Sequence, residues 1–282
     1  MSKKIYLFYI LTLILIVLSS LFFLYKRTQK SENLSPQPIK YTKTPSSNIV
    51  YSISIMSDPH LSLDNLKKAL AMSKELNVSY IIVVGDLSDF GTAANLRELK
   101  KVLDTSALPY LVLPGDRDVY LNGLESNINN SYFVNVFADN NICSNQLLNQ
   151  YEILCLSNPY NYILLPDDYL TNFYENLKRA SVLVSSQPIY NSQSNIYMGY
   201  YDSGVKHQGG EILSALNASS VQLSISGDAH FFSNYSDPYN THISYFTLGA
   251  LTDERNIQQP NFAVLKKYEN GSFSLDPVFL GD

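Results

Sequence analysis

Four short apolar runs in this chain each stop at an acidic residue, and that repetition limits how it can fold more than any other feature. Tyr51 to Met56 leads into Asp58-Pro59-His60, and Ser79 to Val84 into Gly85-Asp86-Leu87-Ser88-Asp89. Pro109 to Leu113 leads into Pro114-Gly115-Asp116-Arg117-Asp118, and Val221 to Ser226 into Gly227-Asp228-Ala229-His230. Short apolar runs bounded by Gly or Pro read as buried strands. Between the first three lie two segments with apolar residues at helical spacing. Leu61 to Leu76 places Leu63, Leu66, Ala69, Leu70 and Met72 on one stripe, with Ser62 as the expected N-cap. Ala93 to Leu103 turns Leu96, Leu99, Val102 and Leu103 inward and Arg97, Lys100 and Lys101 outward. Such β-α units imply a largely parallel sheet whose acidic exits share one edge, where open α/β sheets place their ligands.

Further along, Tyr132 to Phe137 and Glu152 to Ser157 read as strands, and Asp168 to Arg179 as a helix. Ala180 to Ser185 is another buried strand, leaving through Ser186-Gln187-Pro188. The stretch from Ile189 to Gln208, rich in Tyr, Asn, Ser and Gly, is expected to form a loop or lid over the site, followed by a short helix from Gly210 to Asn217. In the tail, Ile243 to Leu248, Phe262 to Tyr268 and Ser272 to Phe279 alternate as strands do, with Asn270-Gly271 as a hairpin turn. There is no internal repeat.

The amino terminus is of another kind. Residues 5–25 are apolar apart from Tyr, Thr and Ser and carry no charge, a length that suits a membrane span at about 1.5 Å per residue. A cleaved signal peptide competes with that reading, but the run exceeds a usual h-region and no small-x-small site follows Leu24. We therefore expect an uncleaved anchor over residues 1–27, a solvated linker over 28–48 and one globular domain over 49–282. Lys3 and Lys4 precede the span while Lys26, Arg27 and Lys30 follow it, so positive charge does not set the orientation. Abundant Asn, Ser and Tyr, few charges and a pair of cysteines favour a single-pass membrane protein with its domain outside the cytoplasm. Cys143 and Cys155 are near enough in sequence for a disulfide, with two buried thiols as the alternative.

Charge narrows the partners. The first 43 residues hold 7 of the 20 Lys and Arg but 1 of the 25 Asp and Glu, leaving the remainder at 13 against 24, a net −11. So acidic a domain repels nucleic acid, and no basic stripe or stacking motif offsets this.

The strand exits bring together six candidate ligands: Asp58, His60, Asp86, Asp116, Asp228 and His230. Carboxylates about 4 Å apart repel by roughly 4 kcal/mol at an effective dielectric near 20, and protonation or a bound cation relieves it. A divalent metal is the simplest solution. The bland alternative is loop residues that cap helices and satisfy turns. Asp89 and Asp118 read as outer partners of the ligands or as helix caps, and His207 and His242 as histidines outside the site. The tyrosines of the lid stretch, Tyr190, Tyr197, Tyr200 and Tyr201, read as packing.

The order of these blocks resembles that of the calcineurin-like metallophosphoesterases, D-x-H, G-D-x-x-D, G-N-H-[DE], a later His near a strand exit, and G-H-x-H. Asp58-Pro59-His60 and Gly85-Asp86-Leu87-Ser88-Asp89 match fully. Gly115-Asp116-Arg117-Asp118 keeps the third frame with Asp for Asn and Arg for His, and Gly227-Asp228-Ala229-His230 has Asp for the first His. The resemblance covers Val50 to the C-terminus. It implies an α/β fold, the four-layer α/β/β/α sandwich of that family, here preceded by a transmembrane helix. It also implies one metal site from Asp58, His60, Asp86 and His230, with Asp86 bridging to a second built from Asp116 and Asp228. Ser186 stands where the family supplies another His, so the second site has lost its imidazoles.

Those departures change the expected chemistry. Four carboxylates bring the ligand charge to neutrality against two dications, where the usual pattern leaves about +2. Oxygen-rich ligation favours one or two ions of Mn, Mg or Fe over Zn, and admits Ca. Arg117 cannot donate a proton at neutral pH but can clamp a phosphoryl oxygen; a salt bridge to a nearby Asp is its other reading. Asp116 and Asp228 are second-site ligands, hydrogen-bonding remnants, or a base acting on water at a one-metal site. The expected function is a membrane-anchored, metal-dependent phosphoesterase acting on a phosphate mono- or diester by activated water, with Arg117, Asp116 and Asp228 as its catalytic candidates. The alternative is a catalytically impaired relative that uses the same fold to bind a ligand or partner.

Overall fold

The computed structural model describes residues 48–120, 132–137, 141–143, 145–237 and 240–281. The span expected over residues 5–25 lies outside them, as does the linker up to residue 47. Among the described residues no helix is long and apolar enough to cross a membrane.

The first β-α units form as their periodicity requires. β1 (Ile49–Ser57), α1 (Leu63–Glu75), β2 (Tyr80–Val84), α2 (Ala93–Asp104) and β3 (Tyr110–Val112) follow one another. The three strands pair in parallel, with Ile55 opposite Ile82 and Val83 opposite Val112. α1 buries Leu66, Ala69 and Leu70, and α2 buries Leu96, Leu99, Val102 and Leu103. Thr92 caps α2 by accepting from Asn95 N at 3.2 Å. Ser62 precedes α1 but makes no side-chain cap bond, because its backbone is not in the extended conformation from which an N-cap oxygen reaches the first turn.

Next come α3 (Asp116–Tyr120), α4 (Tyr132–Phe137), β4 (Leu147–Leu148), β5 (Ile153–Leu156), α5 (Asp167–Leu177) and β6 (Val182–Ser185). They are followed by α6 (Ser203–Asn217), β7 (Leu223–Ser226), β8 (Ser233–Asp237), β9 (Asn240–Thr247), β10 (Asn261–Tyr268) and β11 (Phe273–Phe279). Three of these correct the reading of the sequence. Tyr132–Phe137 is a helix rather than a strand: Phe133, Val136 and Phe137 are buried at helical spacing, a pattern that six residues cannot distinguish from strand alternation. Helix α6 starts seven residues before the expected Gly210, because Asp202 accepts from Val205 N at 2.9 Å and caps it there; the loop is shorter accordingly. Strand β8 was not expected, its residues being polar except for Tyr235, which stacks on Tyr245 of β9 with ring centroids 5.8 Å apart.

The strands make two sheets, ordered β11-β10-β1-β2-β3 and β4-β5-β6-β7-β9-β8. Alternation along each strand sends its residues to two separate cores. Ile53, Ile55, Ile82 and Val84 of the first sheet meet Ile153, Val182, Val184 and Ile225 of the second. Met56, Ile81 and Val83 face α1 and α2 instead, while Leu154, Leu156 and Leu183 face α5 and α6. The layers therefore run helix, sheet, sheet, helix.

Cys143 and Cys155 form a disulfide, with Cα atoms 5.6 Å apart. Cys143 N donates to Val112 O at 2.9 Å, so its segment extends the edge of the first sheet, whereas Cys155 belongs to β5 of the second. The bond joins the two sheets through their shared core.

Candidate metal centre

The parallel strands β1, β2 and β3 of the first sheet and β6 and β7 of the second run out to one cleft. Asp58, Asp86, Asp116 and Asp228 line it together with Gly85, Gly115, Pro159, Ser186 and Gln187. Asp58 is fully buried and ties the sheets to each other: its carboxylate accepts from Asp86 N at 2.9 Å and from Asp228 N at 2.9 Å. It also takes the Ser57 hydroxyl.

Both D-x-H segments turn in the same strained way. Asp58 and His60 have φ of 47° and 44°, and Asp228 and His230 have φ of 68° and 56°. Left-handed backbone costs about 1–3 kcal/mol per non-glycine residue and persists where the surroundings over-determine it. Here it aims both imidazoles into one space. His60 Nε2 and His230 Nε2 lie 3.3 Å apart, and ligand atoms of Asp58, His60 and His230 all fall within 4.8 Å of one another. Asp86 Oδ2 is 3.7 Å from His60 Nε2.

Two glycines make room for the acids. A Cβ on Gly85, which has φ of +83°, would meet Asp58 Oδ1 at 2.2 Å, and one on Gly115 would meet Asp86 Oδ1 at 2.1 Å. The glycine before each Asp is thus a matter of close approach by a carboxylate as well as of turning the chain.

Asp89 and Asp118 support the inner residues, as the sequence reading allowed. Asp89 Oδ1 lies 2.9 Å from His60 Nδ1, an arrangement that holds the proton on Nδ1 and leaves the Nε2 lone pair facing the cleft. Burial keeps the His60 imidazole below its ordinary range, against the pull of Asp58, which favours the neutral, ligating form. Buried Asp118 accepts from Leu87 N, Ser88 N, Ser88 Oγ and Gly115 N at 2.8 to 3.1 Å, clamping the exit of β2 to that of β3.

The acids load the cleft with charge. Burial, then Asp58 and Asp116, push the Asp86 carboxyl up to about 10. The same causes push Asp228 up to about 7, with Arg117 opposing them. Arg117 Nε is 3.2 Å from Asp86 Oδ2, and the Arg117 N–H donates to Asp86 Oδ1 at 3.1 Å. Arg117 thus contacts a nearby Asp, as one of its two readings has it, from a side chain that remains partly exposed. Buried carboxylates with two convergent imidazole nitrogens are a donor set that fits a divalent metal.

Other expected residues fall elsewhere. His207 and His242 are exposed, and His207 faces Glu211 on α6. None of Tyr190, Tyr197, Tyr200 and Tyr201 lines the cleft. Tyr190 packs on Tyr245, and Tyr190 and Tyr197 border a separate cavity of about 250 Å³ with Lys206 and Leu213. The sequence reading also passed over Arg255, whose Nη2 is 3.5 Å from Asp89 Oδ1, and the side chain of Gln187. Gln187 could have been found by applying to β6 the exit rule that found the acids.

A two-sheet α/β sandwich with carboxylates and imidazoles gathered at its strand exits is a fold built around a candidate metal centre. Residues 51–232 match the calcineurin-like phosphoesterase family, and the chain belongs to that family. Its fold is similar to that of TT1561 of Thermus thermophilus (TM-score 0.58, 11% identity, 83% of this chain and 100% of that one). It is similar likewise to a dimetal phosphatase from Danio rerio (0.58, 12%, 83% and 98%) and to a purple acid phosphatase from yellow lupin seeds (0.57, 11%, 84% and 52%). At such identities the likeness concerns the fold alone. A comparison with curated proteins found no match in sequence.

Proposed function

We propose that this chain is a membrane-anchored phosphoesterase, its domain outside the cytoplasm, that hydrolyses a phosphate mono- or diester. One observation carries the catalytic part: Asp58, His60 and His230 converge within 4.8 Å beside Asp86, with Arg117 on the rim. Asp58, His60, Asp86 and His230 would hold one divalent cation, with Asp86 shared toward Asp116 and Asp228. When bound, the cation supplies Lewis-acid charge to a phosphoryl oxygen and lowers the pKa of a water. The chain's own residues prepare the site for this. Asp89 fixes the tautomer of His60, Asp58 fixes the spacing of the two sheets, and Asp118 fixes the two acidic loops. Arg117 has Nε on Asp86, leaving its Nη groups to take phosphoryl oxygens. Its part is charge and orientation.

Support for the location comes from the uncharged apolar run over residues 5–25 and from the Cys143–Cys155 disulfide, a bond that persists in oxidising compartments. The expected result is that the detergent-solubilised full chain, given Mn²⁺, hydrolyses an aryl phosphate mono- or diester and that Asp86→Ala lowers the rate by about 100-fold. Metal binding without hydrolysis would instead support the ligand- or partner-binding reading. Retention in the membrane after an alkaline carbonate wash tests the anchor, and release overturns it.

A further inference from the structure

Among the described residues, nothing satisfies two buried oxygens at the exit of β6. Ser186 and Gln187 are 1% and 2% exposed and line the same cleft as Asp86, Asp116 and Asp228. The Gln187 amide cannot turn over. Its Nε2 donates to Asn158 O at 2.6 Å and to Tyr160 O at 3.2 Å, and exchanging N for O would set the oxygen against two carbonyls. Asn158 grips the backbone of Gln187 as well, accepting from its N–H at 3.3 Å and donating to its carbonyl at 3.2 Å. With both hydrogens of the amide taken, Gln187 Oε1 has no partner among the described residues, and neither has Ser186 Oγ.

A buried acceptor without a donor is costly, and one on the lining of an acidic cleft gains nothing from neighbours of its own sign. A cation satisfies all of them at once. We propose that Gln187 Oε1 and Ser186 Oγ, with Asp86, Asp116 and Asp228, form an oxygen-only site for a hard divalent cation, beside the imidazole-bearing site of His60 and His230. This rests on the reading above that the cleft binds metal, and it assigns the ligands that stand in for the missing imidazoles. Neutral amide and hydroxyl oxygens supply donors without adding to an already large negative charge. A site of oxygens alone takes Mg²⁺, Mn²⁺ or Ca²⁺, while the imidazole pair favours softer ions and binds Mg²⁺ poorly.

The test is calorimetric titration of the metal-stripped full chain in detergent with Mn²⁺, followed by competition with excess Mg²⁺. Wild type should bind two equivalents, one of which Mg²⁺ displaces. Ser186→Ala and Gln187→Met should each weaken that displaceable equivalent by about ten-fold or more and leave the other unchanged, the unchanged equivalent reporting an intact fold. His230→Ala should do the reverse. Two equivalents insensitive to both Ser186→Ala and Gln187→Met would overturn the ligand assignment while leaving the metal centre standing. A single equivalent lost in His230→Ala would also overturn it, and no binding at all would overturn the metal reading itself.

Discussion

His60 Nε2 and His230 Nε2 stand 3.3 Å apart although the two residues are 170 positions apart in the chain and leave different sheets. Their meeting depends on Asp58, which accepts the N–H of Asp228 and so sets how closely the exit of β7 approaches that of β1. The Nδ1 contact to Asp89 turns the free lone pair of His60 toward the same point.

Metal affinity should rise with pH. Asp86, pushed up to about 10 without a cation, is protonated at neutral pH, and binding must displace that proton. For each proton released, the apparent affinity for Mn²⁺ tightens about ten-fold per pH unit. Calorimetry between pH 6 and 8 in buffers of different ionisation enthalpy reads both the trend and the release.

The same shifts set the stability of the metal-free protein. Asp86 and Asp228 keep protons in the folded state that an unfolded chain, with carboxylates near 4, has already lost. The folded state binds more protons over that range, so stability falls as pH rises from about 4 through 7 toward 10. Thermal melts of stripped protein should show a declining midpoint, and saturating Mn²⁺ should flatten the decline by taking the protons' place.

Asp89→Ala should weaken metal binding at the imidazole site by about 10- to 100-fold without unfolding the domain. The carboxylate lies on the partly exposed side of His60, and its loss releases the ring's orientation rather than a ligand. Mn²⁺ titration alongside a melt separates the two effects.

Asp118→Asn should destabilise the fold by about 2–4 kcal/mol. Both carboxylate oxygens accept two donors each, so an amide nitrogen at either position faces N–H or O–H groups in a buried site. Urea denaturation measures the loss.

Reduction, or replacement of both cysteines by Ala, should cost about 2–4 kcal/mol. The bond closes a short loop and joins the edge of one sheet to β5 of the other. A lowered melting midpoint in reductant checks this.

Much of the fold was legible because its signals are local. Period-two alternation marked β1 and β7, unbroken apolar runs marked β2 and β3, helical stripes marked α1 and α2, and the Gly or Pro beside each acid marked where the strands stop. Legibility ended where a segment was too short or too polar to carry a period. Tyr132–Phe137 and β8 are such cases, and the Asp202 cap that lengthens α6 outweighed the glycines at 209 and 210.

The sequence by itself determined which donors arrive at the sheet edges, since Asp58, His60, Asp86, Asp116, Asp228 and His230 follow directly from where apolar runs end. Only the tertiary structure decided how they combine: the facing imidazoles, the Arg117–Asp86 pair, the Asp89 support of His60 and the orphaned oxygens of Ser186 and Gln187. Each of these depends on distances between chain segments, set by packing two sheets over a common core. A strand's own pattern states which face is buried but not which strand it will meet.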